Sequence, residues 1–317
     1  MPGSIPVYGR PEMSTEPSIT LPETPSFRER HASTIRQWRL YAHLFSTSFS
    51  SMLGLALVVL FLILAVFGPW LAPYPEDTMG AVKLSQRLLP PSLEHPFGTD
   101  EMGADILSRV IVGARTSLWI GLIITGLGAG IGVPLGLIAG YRGGFIRAAI
   151  MRVTDLFLSV PGLALALAIV AALGPGITNC IIALALVWWP GYVRLVESKT
   201  LSVKEELYVE SALALGATTP WILWRHILPN CMTPIIVKAS MDMGMAILSA
   251  ASLGFIGLGA KPPLPEWGAM ISVARSYMPD WWWYSVFPGL AIFLTVLGFN
   301  LLGDGLRDVL DPRSRSR

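Results

Sequence analysis

Residues 202–230, SVKEELYVESALALGATTPWILWRHILPN, form the one long polar interruption between two apolar segments in the second half of the chain. Ser202 with Glu205 three residues later fits a capping box, and Gly216 is suited to the left-handed residue that ends a helix. A second helix can start at once, with Thr219 as N-cap, Pro220 at the first helical position and Pro229 as its stop. The stretch therefore reads as helix, bend, helix: too polar to span a bilayer and too ordered for a slack loop. Ser211, Ala212 and Ala214 offer a face of small side chains, while Leu215, Trp221, Trp224, Ile227 and Leu228 offer apolar anchors. Two readings are open for such a unit, an amphipathic loop lying on lipid and a docking element for a partner protein.

Around this stretch the chain is membrane-like. Its 317 residues are 53% hydrophobic and 14% charged, whereas ordinary soluble domains carry about 25% charged residues. A net charge of +2 does not suggest a nucleic-acid surface. The 4 histidines are scattered without metal-ligand spacing, so no metal site is expected, and no catalytic cluster appears at bilayer depth. No P-loop GxxxxGK[ST] occurs, so any ATP that drives this chain is bound by another.

In order, residues 1–37 read as a tail rich in Pro, Ser, Thr and Glu, without the apolar core of a signal peptide. Residues 38–72 read as a cationic lead-in and a first span, Leu53 to Ala72, which at about 1.5 Å per residue covers the roughly 30 Å hydrocarbon layer. A polar, proline-studded connection comes next, over 73–116, with a short helix after Asp105. Further spans are expected at Ser117–Gly140, about Val153–Leu173 with a kink at Pro161, Asn179–Val196, Pro234–Leu258 and Tyr284–Leu302, inside a core of 117–304, before a charged tail at 305–317. The fold class is thus all-α, a polytopic membrane protein with six spans. Gly128, Gly132, Gly136 and Gly140 recur every four residues, the small-xxx-small stripe of close helix packing in lipid.

Positive charge orients the spans. Of the 23 Lys and Arg residues, only Lys83, Arg87, Arg109, Arg115, Lys261 and Arg275 fall outside when both termini are cytoplasmic, which places 202–230 on the inside. Within the spans, Lys238 and Asp242 lie four apart and can pair near the headgroups; alternatively Asp242 faces a translocation cavity. Met241, Met243 and Met245 beside them suit either a tolerant pathway wall or ordinary packing. Asp155 is expected to pair with Arg152, and Asn300 to bond across helices.

Glu210, Ser211, Ala212, Gly216, His226, Ile227, Leu228 and Pro229, at their spacing, resemble the EAA loop of ABC importer permeases, with Ser211 where that family usually has Ala. Phe97–Arg115 and the C-terminal PGLAIFLTVLGFN and LLGDGLRDVLDPRSRSR resemble the C-type permease subunit of dipeptide, oligopeptide and nickel importers, with Ala104 where that class usually has Arg. The resemblance covers about residues 40–313. It implies the six-helix type I importer fold and an inner-membrane location in a bacterium. It further implies a second, homologous permease chain, two ATP-binding subunits that carry ATP and Mg, and an extracytoplasmic substrate-binding protein. It assigns coupling to the ATPase to Glu210, Ser211, Ala212, Gly216, His226, Leu228 and Pro229, and it leaves this chain without a cofactor or a catalytic residue. An ion-coupled secondary transporter is the alternative; it calls for acidic or histidine relays deep in several spans, and Asp242 alone approaches that.

Overall fold

Apolar segments and the polar elements that join them build nine helices from Phe49 onward among the described residues. The computed structural model describes residues 39–310, so the tail expected at 1–37 lies outside the described residues, and the tail expected at 305–317 is described only to Leu310. Residues 39–42 are helical and belong to a unit of their own, Met1–Ala42, while the helical bundle is the unit from His43 onward. The helices of the bundle are α1 (Phe49–Leu71), α2 (Ile106–Arg142), α3 (Gly144–Leu158), α4 (Gly162–Leu173), α5 (Ile177–Val203), α6 (Leu207–Ala214), α7 (Thr219–Phe255), α8 (Trp267–Ala274) and α9 (Trp283–Leu310). α1, α2, α5, α7 and α9 are each long and apolar enough to cross a membrane, and α3 with α4, bent by 86°, passes the same test only as a pair, as a broken span or a re-entrant loop, which makes five or six crossings.

Three boundaries differ from the sequence reading. Pro161 stands at a break of 86° between α3 and α4 where a kink was expected, because α3 ends at Leu158 with Ser159 as its cap and the helix restarts only after Pro161, whose ring disfavours the helical region for Val160. The short helix after Asp105 and the second span are a single helix of 37 residues, since nothing between Arg115 and Ser117 interrupts the backbone ladder. The charges Asp304, Arg307 and Asp308 continue α9 as its last turns.

The connection over 73–105 is pinned to the start of α2 by buried polar groups. Asp105 caps α2: its Oδ2 accepts from the Ser108 amide at 2.8 Å and the Ser108 hydroxyl at 2.7 Å, while Oδ1 lies 2.9 Å from His95 Nδ1. Asp77 accepts from the Asp105 amide at 2.9 Å and pairs with Lys83 at 2.7 Å, which holds the Lys83 ammonium above its ordinary pKa. Arg109 reaches Asp100 at 3.2 Å, yet burial still pushes the Asp100 carboxyl up. Ala104, at the position where the importer class usually has Arg, is buried and its backbone bonds twice with Asp100. At this end of the bundle α8 is capped by buried Glu266, and the Trp267 indole is fully buried, donating to the Val110 carbonyl at 3.0 Å.

Small residues bring the long helices together. α1 meets α9 at Gly54, where an added Cβ would fall 2.6 Å from the Leu302 amide. The stripe Gly128, Gly132, Gly136 and Gly140 lies flat on α5: added Cβ atoms would meet Trp188 at 2.9 Å, Tyr192 at 2.6 Å, the Val193 carbonyl at 2.8 Å and Thr200 at 2.6 Å in turn. α3 is tied to α5 by Arg147–Glu197 and by Arg194–Asp155, both at 2.6 Å. Asp155 therefore pairs across helices with Arg194, and the pairing expected with Arg152 is replaced. Asn300, conversely, donates within its own helix to Val296 at 2.9 Å in place of the bond across helices that its sequence position suggests.

Candidate functional site

At the end of the bundle opposite residues 73–105, the segment 202–230 builds a rigid unit. Ser202 does not cap it: α5 runs on through Ser202 to Val203, because Val203 continues the buried face of Val196 and Thr200. α6 starts after Glu206, whose side chain makes no capping bond. It ends in a Schellman turn. Gly216 stands at φ +82° and donates to Leu213 at 2.9 Å, and the Ala217 amide closes on Ala212 at 3.0 Å. Thr218, one residue earlier than expected, is the N-cap position of α7, and Pro220 sits in its first turn.

Pro229 does not end this helix. The turn Leu223–Ile227 is widened to a π-turn, with the Leu228 amide bonded to Leu223, and the helix continues to Phe255. A proline ring inside a helix clashes with the carbonyl four residues back, here Arg225; the wider turn relieves that clash without breaking the rod. Residues 219–222 and the membrane crossing are consequently one lever.

The unit is seated by Val209, Ala212, Ile222 and Ile227, all buried; Val209, Ile222 and Ile227 pack in one cluster with Leu137, Val196 and Cys231. Ala212 and Ile227 face the bundle, so the outward face expected of them belongs to others. Glu210, Ser211 and Gly216 are exposed, Ser211 bonding back to Leu207 at 2.8 Å; Pro229 is exposed and Leu228 half-buried. Outward stand Leu207, Leu213, Leu215, Trp221 and Trp224, with Leu215 88% and Trp224 68% exposed. The His226 ring lies 4.8 Å from Trp221 and 5.7 Å from Tyr208. Asn230 Nδ2 reaches both the Tyr208 hydroxyl, at 3.2 Å, and the His226 carbonyl, at 2.7 Å. Burial, with the Glu206 charge adding to it, pushes the Tyr208 phenol above its ordinary pKa, so the clamp between α6 and α7 is uncharged at that group. Tyr208 and Asn230 carry no signal in the sequence pattern; only the fold brings them to His226.

Beside this unit α5, α7 and the end of α9 line a cavity of about 710 Å³ that includes Lys199, Asn230, Thr233, Lys238, Met241, Asp242 and Arg307. Lys238 Nζ lies 3.1 Å from Asp242 Oδ2 and 5.0 Å from the centre of the Tyr192 ring. The pair is local, as its spacing implies, and it also lines the cavity. Met241 shares that wall, Met243 packs against the Trp267 core, and Met245 is 46% exposed and lines no part of the cavity. Among the described residues no group of three His, Cys, Asp or Glu side chains could hold a metal ion.

Residues 132–316 match the family described as binding-protein-dependent transport system inner membrane component, and residues 36–91 match the N-terminal TM domain of oligopeptide transport permease C. This chain belongs to that permease family. The probable D,D-dipeptide transport system permease protein of Escherichia coli K12 is 49% identical over 81% of this chain and 86% of its own length. The dipeptide transport system permease protein of Alkalihalophilus pseudofirmus is 42% identical over 98% of this chain and 99% of its own. A glutathione transport system permease protein of Escherichia coli is 48% identical over 87% and 90%. The inward-facing MetNI methionine ABC transporter shares the fold, with a TM-score of 0.53 over 65% of this permease and 98% of that chain at 19% identity. The permease is thus a multi-pass inner-membrane component of an ATP-driven importer, not an enzyme, and ATP is hydrolysed by separate partner chains. Family membership favours this over the ion-coupled alternative.

Proposed function

We propose that the permease forms half of the translocation path for di- or oligopeptides or related small solutes, and that residues 202–230 couple it to the ATPase. The names of the relatives support the cargo class. The Lys and Arg bias supports an orientation with both termini and residues 202–230 in the bacterial cytoplasm. Its partners are a second homologous permease chain, two ATP-binding subunits and an extracytoplasmic substrate-binding protein.

One observation carries the coupling reading: the Schellman turn at Gly216 presents Leu215, Trp221 and Trp224 outward on a unit whose second helix is continuous with a membrane crossing. ATP binding closes the ATPase pair and displaces the docked unit. α7 carries the displacement into the bilayer, and the crossings shift between inward and outward openings as rigid bodies. Glu210, Ser211, Ala212, Gly216, His226, Leu228 and Pro229 shape or stiffen that unit. Gly216→Pro is the test. Proline cannot take φ near +82° and removes the bond to Leu213. The expected result is an assembled complex that hydrolyses ATP while uptake falls to background; normal coupled uptake would refute the role.

Asp242 and Met241 line the proposed path. Asp242→Asn leaves Lys238 uncompensated in the cavity wall, so uptake of cationic peptides is expected to fall relative to neutral ones. Competition uptake with paired peptides measures it, and unchanged rate and selectivity would remove Asp242 from the path.

A further inference from the structure

The cavity is not electrically balanced. Its charged lining is Lys199, Lys238, Asp242 and Arg307, and the single carboxylate is already held by Lys238 at 3.1 Å. No ion pair within 4 Å is formed by Lys199 or Arg307 among the described residues, and both are exposed at the cavity mouth. Asp304 and Asp308 stand on the same last turns of α9 as Arg307 but do not line the cavity. An adjoining hollow of about 630 Å³ shares Lys199 and Lys238 and adds Arg194, whose charge is met by Asp155. The walls between these groups are Leu195, Pro229, Pro234, Val237 and Leu310. Charges of one sign set in apolar walls focus their field into the space between them.

We propose that Lys199 and Arg307 form a carboxylate-receiving site at the mouth of this cavity, so that a solute crossing it is held by its anionic end there while a cationic end lies toward Asp242. This rests on the cavity being part of the path, as proposed above. A peptide with free termini carries both ends. A carboxylate accepts hydrogen bonds only, and the Lys199 ammonium and Arg307 guanidinium in the lining only donate them. The phosphate of an anionic lipid has the same acceptor chemistry, and the experiment separates the two.

Thr233→Cys places a thiol in the cavity wall of the whole complex, with partner permease and ATP-binding subunits, reconstituted in lipid vesicles. Cys180 and Cys231 are buried, and the parent complex gives the background. The rates of modification by an anionic sulfonatoethyl and a cationic trimethylammonioethyl methanethiosulfonate are compared, each scaled to a free thiol. The anionic reagent is expected to be favoured about tenfold. Lys199→Gln with Arg307→Gln should bring the ratio close to one, each single change should lower it partway, and Lys199→Arg should keep it. Millimolar dialanine should slow the anionic reagent, and dialanine amide should not.

A ratio at or below one, a ratio unmoved by the double change, or dialanine no more effective than its amide would overturn the site. A bias seen in purely zwitterionic vesicles but lost when anionic lipid is added would assign the cations to lipid headgroups, which also overturns it. ATP-driven uptake is followed in the same vesicles. Uptake undiminished once the Thr233→Cys thiol is fully modified, with the bias intact, speaks against the path assignment, whereas bias absent with uptake intact speaks against the carboxylate site alone.

Discussion

With Leu215→Asp and Trp224→Asp together, the permease is expected to insert and fold as before, yet its ATP-binding subunits no longer co-purify and uptake drops to background. The two side chains are 88% and 68% exposed, so their loss removes little of the permease's own packing. Beneath them Val209, Ile222 and Ile227 stay buried in the cluster with Leu137 and Val196, which keeps the unit seated. In the docking proposed above the same side chains are the apolar anchors. A desolvated interface anchor is worth about 2 kcal/mol or more, so losing two weakens docking roughly a thousandfold. Affinity purification through the permease, with a thermal melt of the isolated chain as the folding control, reads both halves. Retained ATPase at wild-type stoichiometry would contradict the assignment.

Gly132→Val is expected to have the opposite character, destroying the fold of the chain and not its docking. An added Cβ at Gly132 meets the Trp189 carbonyl, Tyr192 Cβ at 2.6 Å and the Val193 amide at 3.2 Å. Two of these are backbone atoms of α5 and cannot step aside as a flexible side chain would. Overpacking costs about 1–3 kcal/mol, and more where backbone must move as here, a large share of a stability of about 5–15 kcal/mol, so the folded yield is expected to fall sharply. Two residues away, Gly130 has nothing within 4 Å of an added Cβ, so Gly130→Val is expected to be tolerated on the same helix. Folded yield after mild detergent extraction distinguishes them; equal yields would mean that α2 and α5 are not in contact along this stripe.

The crossings were legible because hydropathy is a property of each segment alone: α1, α5 and α9 fall where the apolar runs lie, each extended by a few residues. Legibility failed where a local rule met a tertiary one. Ser202 with Glu205 has the letters of a capping box, yet burying Val203 with Val209 favours carrying α5 past it. Pro229 has the letter of a stop, yet a widened turn absorbs its ring and preserves the lever. Ala212 belongs by size to a face open to a partner, and instead it supports the unit from below, because only the three-dimensional path of α6 decides which side meets the bundle. The cavity was half legible: Lys238 and Asp242 are neighbours on one helix, whereas Lys199 and Arg307 reach the same space from α5 and α9, which no spacing rule connects.

A bifunctional cross-link from Leu215→Cys, formed in the transport-competent complex, addresses the coupling role most directly. An adduct with an ATP-binding subunit, whose yield changes when ATP is trapped, is the expected product. An adduct confined to the substrate-binding protein on the other side of the membrane, with the ATP-binding subunits untouched, would contradict it.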